Sequence, residues 1–374
     1  MILRCRRILG TPGTDVLDGW VRVEDDRIAE FGTGVPPGPS VELPGWLAPG
    51  YVDIHVHGGG GATFQDGDAD AVATAVGFHR SRGTTTMLAS LVSAPIEALV
   101  ATVRRLEAAV ATGLLAGVHL EGPFLAERHR GAHDASVLRP PSSADLDAVL
   151  ASDVVRVVTL APELPGALDG VRRIVAAGAV AAVGHTSASY EQTVAAIDAG
   201  ARIATHLFNG MPPARHREPG PVLALLEDPR VTVELINDGV HLHDATFLAT
   251  ARALGPGRVA LVTDAIAATG LADGDYVLGS QRIEVRGRVS TLAGGTSLAG
   301  SVLTMADAVA RAVRLGLSPA AAVASATATP ATAAGLDDVG RIEPRRRANL
   351  VSLDDELGVT DVWLDGVLLA RGEG

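Results

Sequence analysis

Lysine is absent from this 374-residue chain, and all 31 of its basic residues are arginine. The absence excludes a Schiff-base lysine, a lysine general base and a carbamylated lysine bridging two metal ions. Cysteine is reduced to Cys5, so no internal disulfide can form, which suits a reducing compartment. Aromatic residues supply 3% of the chain, leaving Ala, Val, Leu and Ile to fill the core that a 47% hydrophobic composition can build. No apolar run reaches the roughly 18 residues of a membrane span, and MILRCRRILGTPG lacks an apolar stretch of signal-peptide length. Positive charge is scarce as well. The net charge is −12 and the one dense basic run is Arg345, Arg346 and Arg347, so nucleic acid, which needs a clustered positive surface, is not an expected partner. A cytoplasmic protein working without a membrane is the expectation.

What is present starts with LAPGYVDIHVHGGGG, residues 47–61, where an apolar run carries His55 and His57 before breaking into four glycines. Residues i and i+2 of a strand share a face, so both imidazoles leave the strand end together and can hold one metal ion. From there apolar runs alternate with Ala-rich helical stretches. Strands are expected over 51–57, 84–90, 115–121, 154–161, 180–185, 202–208, 231–237 and 259–264. Helix-like segments at 69–82, 95–112, 167–177, 190–199 and 244–254 lie between them. Eight such repeats predict an α/β fold, a (β/α)8 TIM-like barrel. An open doubly wound sheet is the alternative, but it calls for a G-x-G-x-x-G turn after the first strand, and HGGGG lacks that spacing. A hairpin insert is expected over 276–292, then helices over 301–315 and 319–334. Short strands return at the end, so the predicted organisation is a barrel over 50–340 with a small β-sandwich built from 1–49 and 341–374.

In such a barrel the side chains at the carboxyl ends of the strands converge on one mouth. His55 and His57 end the first expected strand, His119 and Glu121 the third, His185 the fifth, His206 the sixth and Asp264 the eighth. Histidine with carboxylate suits zinc, or divalent iron, manganese or cobalt. With no lysine available, Glu121 is the evident group to bridge two ions. His119 shares its strand face but lies further from the mouth, as a partner behind a ligand would. Asp264, in LVTDA, reads either as a helix N-cap or as a carboxylate that takes a proton from water and delivers it to a leaving group. Loops add His133 in GAH, Asn209 and Gly210, Arg217 in RHREPG and His241 in NDGVHL. Arg217 and His241 suit a phosphorylated substrate. The run GGTSLAGS is either a plain turn or a set of amides for a sugar hydroxyl or an anion.

In order, PGYVDIHVHG, HLEGPF, GAH, VGHT, THLFNGM, HREPG, DGVHL, VTDA and LAGS resemble the N-acetylglucosamine-6-phosphate deacetylase family of the amidohydrolase superfamily. HLEGPF with THLFNGM and HREPG is the specific part. The resemblance implies Glu121, His185 and His206 as metal ligands and Asp264, counted also among the ligands, as catalytic acid and base. It implies His133 as the group that polarises the acetamide carbonyl. Ala132, His133, Asn209, Gly210, Arg217, Asp238, His241, Leu298, Ala299 and Gly300 match its substrate-contacting positions. Some members lack the first histidine pair and use one metal; His55 and His57 leave room for a second divalent ion, bridged by Glu121. A homodimer or homotetramer is implied too. Two other readings stand beside it: an amidohydrolase acting on another N-acetyl amino sugar phosphate or a cyclic amide, and an inactive amidohydrolase-like binding scaffold, which would have lost ligand residues. The loop AERHR before GAH has no assigned role.

Overall fold

The computed structural model describes residues 1–11 and 14–371. At its centre are eight parallel strands: β1 (Tyr51–Val56), β2 (Thr84–Val92), β3 (Gly117–Glu121), β4 (Val155–Leu160), β5 (Val180–Val183), β6 (Ile203–Ala204), β7 (Thr232–Ile236) and β8 (Val259–Val262). They pair in sequence order. Rich in Val, Ile, Leu and Ala and almost wholly buried, they are strands covered on both faces. Helices α1 (Ala69–Arg80), α2 (Ile96–Ala111), α3 (Ser143–Val149), α4 (Ala167–Ala176), α5 (Tyr190–Ala199), α6 (Gly220–Glu227), α7 (Asp244–Leu254) and α8 (Met305–Arg314) follow the strands in turn.

The ring closes at its mouth. Asp264 N–H donates to the His55 carbonyl and His57 N–H to the Ala265 carbonyl, both at 2.8 Å. Lower in the seam Val52 N–H donates to the carbonyl of Ala326 at 2.8 Å, so a turn from beyond α8 fills the gap between first and last strands. The expected barrel is the observed one, and its closure is made by His55, His57 and Asp264, which are candidate site residues.

Three strand ends differ from expectation. Strands five, six and eight stop at Val183, Ala204 and Val262, short of His185, His206 and Asp264. Those three residues have left-handed backbone, with φ of +46°, +28° and +52°. Each such turn costs a non-glycine residue on the order of 1 kcal/mol, and it swings the side chain off the strand face towards the mouth. His57 likewise lies one residue beyond β1. The expected helix over 319–334 is two, Pro319–Ser325 and Ala328–Ala333, separated at Thr327. The insert between β8 and α8 is three antiparallel strands, Gly274–Leu278, Gln281–Arg286 and Val289–Leu292.

Both ends of the chain join in one hydrogen-bonded sheet of eight strands. Its strand order places Leu350–Leu353 beside Trp46–Pro49, directly before the first barrel strand. Ile28 and Trp363 come from distant strands of that order yet share a core with Leu3, Ile8, Val21, Leu47 and Leu350, so the sheet folds over on itself. The Ile28 amide donating to the Arg346 carbonyl at 2.9 Å ties the fold-over. Among the described residues no helix is long and apolar enough to cross a membrane.

Candidate active site

Glu121, the last residue of β3, is 3% exposed and stands at the centre of the mouth. Its Oε1 lies 3.1 Å from His185 Nε2 and 2.9 Å from His206 Nε2. Its Oε2 faces the other way, 3.5 Å from His55 Nε2 and 3.3 Å from His57 Nε2. One carboxylate therefore serves two clusters, His55–His57–Glu121 and Glu121–His185–His206, all buried. Asp264 Oδ1 completes the first side, 3.1 Å from His57 Nε2 and 3.6 Å from His55 Nε2. No helix follows Asp264; Ala265 instead bridges to Ser301, which removes the N-cap reading.

In three of these rings the outer nitrogen fixes which atom faces inward. His185 Nδ1 donates to the His129 carbonyl at 2.7 Å, His57 Nδ1 to the Ser90 carbonyl at 3.1 Å and His55 Nδ1 to Glu234 Oε2 at 3.0 Å. Those partners only accept, so each ring keeps a proton on Nδ1 and, when neutral, turns an Nε2 lone pair to the carboxylates. His55 Nε2 is buried without a hydrogen-bond partner. Lone pairs and carboxylate oxygens converging in a buried space repel unless a cation lies between them. The residues present fit one or two divalent ions.

Electrostatics point the same way. Burial pushes the His57 imidazole down, but Asp264 and Glu121 outweigh it and raise it to about 9; His55 is raised well above its ordinary range by Glu121 and Glu234 against the same burial. Burial pushes the Asp264 carboxyl up, while the hydrogen bond from His57 and the nearby histidine charges bring it down to about 2. The pocket holds a field that stabilises positive charge.

His133 differs. Its Nδ1 accepts from the Ser93 main-chain amide at 3.2 Å, so its proton is on Nε2, 3.5 Å from Glu121 Oε2. Burial brings its pKa down to about 4. It enters the mouth as a hydrogen-bond donor, where His55, His57 and His185 have their Nδ1 atoms turned to acceptors behind them.

Two buried carboxylates escaped the sequence reading. Glu234, on β7, accepts from His55 Nδ1 and, at 3.1 Å, from the His206 amide. Its signal was a charge inside the apolar run VTVELI. Asp53 accepts from Thr263 Oγ1 at 2.5 Å, tying β1 to the end of β8, and burial raises it to about 7. His119 lies deeper, bonded to Ser90 Oγ and Thr159 Oγ1 at 2.9 and 2.8 Å and edge-on to His55. It supports that ring by packing. Glu234→Gln is expected to weaken divalent-metal affinity about 10- to 100-fold. A chelator competition titration reads this, and an unchanged dissociation constant would mean that the Glu234 contact contributes nothing.

The clusters open into a cleft of ≈ 230 Å³ lined also by Ala132, His133, Asn209, Gly210, His241, Leu298 and Gly300. Gly210 has φ +62°, and a Cβ there would fall 2.8 Å from His185 Nδ1, so only glycine fits against the ligand. Asp238 does not line the cleft; it accepts from His241 Nδ1 at 2.7 Å and aims that ring. Ala299 is fully buried behind the lining. Arg217 is exposed and lines a neighbouring hollow with Arg128, His129 and Arg215. The loop that carries His129 is the unassigned AERHR segment, and its carbonyl holds His185. Val92 and Leu278 line the cleft without having been singled out, beside Gly131 of GAH and Ser297 of GGTSLAGS.

Imidazoles and a carboxylate able to hold a Lewis-acid ion, beside a second buried carboxylate at the carboxyl end of a parallel eight-stranded barrel, define a metal-dependent barrel hydrolase. The chain belongs to the amidohydrolase family, whose model matches residues 46–369. It is similar to an N-acetyl-D-glucosamine-6-phosphate deacetylase variant from Mycobacterium smegmatis solved in complex with N-acetyl-D-glucosamine 6-phosphate, at 44% identity and TM-score 0.96 over 98% of both chains. It is 37% identical to an N-acetylgalactosamine-6-phosphate deacetylase of Escherichia coli O157:H7 over 98% of each chain. It is also 36% identical to an N-acetylglucosamine-6-phosphate deacetylase of Vibrio furnissii, over 86% of this chain and 82% of that one.

Proposed function

We propose that the chain hydrolyses the acetamide of N-acetylglucosamine 6-phosphate to glucosamine 6-phosphate and acetate. The observation that carries the reading is Glu121 shared between two histidine pairs, with Asp264 on one side and the His133 donor facing the same carboxylate. The similarity to amino sugar phosphate deacetylases over nearly the whole chain supports the substrate class.

In this reading Glu121, His185 and His206 hold one divalent ion, and His55, His57, Glu121 and Asp264 a second. Zinc suits this ligand set, as do iron, manganese and cobalt. A bound ion supplies Lewis acidity, which acidifies water and polarises a carbonyl. Asp264 accepts a proton from the attacking water as its oxygen bonds to the acetyl carbon. His133 Nε2–H donates to the carbonyl oxygen as negative charge builds there. When the C–N bond breaks, Asp264 returns the proton to the departing amine. Ala132, Asn209, Gly210, Leu298 and Gly300 shape the sugar pocket, with Ala299 behind it. His241, aimed by Asp238, and Arg217, in the hollow past His129, face the phosphate. The same reading divides the chain at 1–49, 50–340 and 341–374, in a cytoplasmic homodimer or homotetramer.

Acetate release from the phosphorylated and unphosphorylated sugars tests it. One charge-assisted contact to phosphate contributes about 1.5–3 kcal/mol, so kcat/KM is expected to favour the phosphorylated sugar by about 10- to 100-fold; equal values would sink the phosphate reading. A second substrate reading has its own support, because N-acetylgalactosamine-6-phosphate deacetylases stand among the relatives at 37% and 36% identity. The 4-epimer run beside the first substrate decides between them.

A further inference from the structure

We infer that Gln65 is a positioning residue that sets the donor form of His133 through the end of β2; the inference rests on the reading of His133 as donor to the acetamide oxygen. Strand β1 pairs with β2 only as far as Val56 against Ala89. Beyond that point β2 runs on to Val92 with no strand on that side. The side-chain amide of Gln65 takes the empty place: its Oε1 accepts from Val92 N–H at 2.9 Å and its Nε2 donates to the Val92 carbonyl at 3.3 Å. The N–H and C=O of one strand residue point to the same side, so a primary amide can satisfy both as a neighbouring peptide would.

The next residue along a strand points its groups to the opposite side. Ser93 N–H accordingly leaves Val92 in the other direction and donates to His133 Nδ1 at 3.2 Å. Gln65 is itself pinned, its amide donating to Thr63 Oγ1 at 3.2 Å and its carbonyl accepting from Thr102 Oγ1 at 3.1 Å. The clamp on Val92 fixes where the Ser93 amide stands, and that amide decides which nitrogen of His133 keeps the proton. With the clamp gone, the strand end moves, Nδ1 loses its donor and the Nε2–H form is no longer enforced.

The test uses the metal-loaded enzyme and two variants. Gln65→Leu removes both bonds at similar volume; Gln65→Glu keeps an acceptor for Val92 N–H and loses the donor. In ¹⁵N spectra of histidine-labelled protein, wild type is expected to show His133 as the Nε2–H form, Gln65→Leu a mixture of the two ring forms, and Gln65→Glu a smaller shift. A displaced catalytic donor costs up to about 100-fold, so kcat is expected to fall about tenfold or more in Gln65→Leu with KM within twofold, and less in Gln65→Glu. An unchanged His133 signal in both variants overturns the inference, whatever happens to stability. A shifted signal with unchanged kcat instead overturns the role given to His133, and with it any catalytic consequence of Gln65. If Gln65→Leu does not fold, the Gln65→Glu spectrum alone decides.

Discussion

Asp264→Asn is expected to leave the fold and the ion held by Glu121, His185 and His206 intact while lowering kcat for acetate release by about a thousandfold or more. The substitution keeps size and shape, and the main-chain part of the residue is untouched. Asp264 N–H still closes the barrel on the His55 carbonyl at 2.8 Å, and its carbonyl still accepts from Ser301 at 2.7 Å. What is lost is an acceptor for a proton. Burial pushes the carboxyl up, but the hydrogen bond from His57 and the histidine charges bring it below its ordinary value, which favours the charged form. An amide cannot take the proton from water or return it to the amine. Elemental analysis together with acetate release on the same preparation makes the measurement. A variant that keeps the ion at Glu121, His185 and His206 and more than a tenth of wild-type kcat would remove Asp264 from the mechanism.

How far the residues alone disclose this site depends on what periodicity can see. His55 and Glu121 sit on regular strands, so alternation and spacing placed them without any fold in view. His185, His206 and Asp264 were recognised as strand-end groups, but their inward aim comes from left-handed backbone that no apolar pattern records. Glu234 and Asp53 were passed over because a single charge in a buried strand has the same local signature whether it orients a ligand or pairs elsewhere. Only the closed ring brings Glu234 to His55 Nδ1 across three-dimensional space. The division between ligand and donor histidines was implied by the family resemblance and is not visible in the spacing of the residues. It rests on what touches the far nitrogen: carbonyls of Ser90 and His129 for two ligands, the Ser93 amide for His133. The terminal strands were legible as strands, while their union in one folded-over sheet depends on pairing between residues some 300 apart, such as Val351 against Ala48.

In the proposed reading, His55 and His57 at the mouth end of β1 set how many ions the site holds. Replacing His55 by Gln together with His57 by Asn is expected to lower bound metal from two ions per chain towards one. The division of labour at Glu121 is the reason: Oε2 faces the removed pair, whereas Oε1 keeps His185 and His206 at 3.1 and 2.9 Å. His185 retains the His129 carbonyl behind it, so that half of the site stays oriented. The double variant also strips Glu234 of its ring partner, leaving the His206 amide at 3.1 Å. A buried carboxylate left part-satisfied costs about 1–3 kcal/mol, which would disturb His206 and blur the count. Adding Glu234→Gln to the pair removes that charge, and the Glu234→Gln single variant measured beside it gives that substitution's own effect on metal. In this triple variant a count of one by elemental analysis, with measurable acetate release, would establish that His185, His206 and Glu121 hold an ion by themselves and that Asp264 can work beside it. A count that stays at the wild-type value would show that β1 contributes no metal site and that its two histidines serve to orient Asp264 instead.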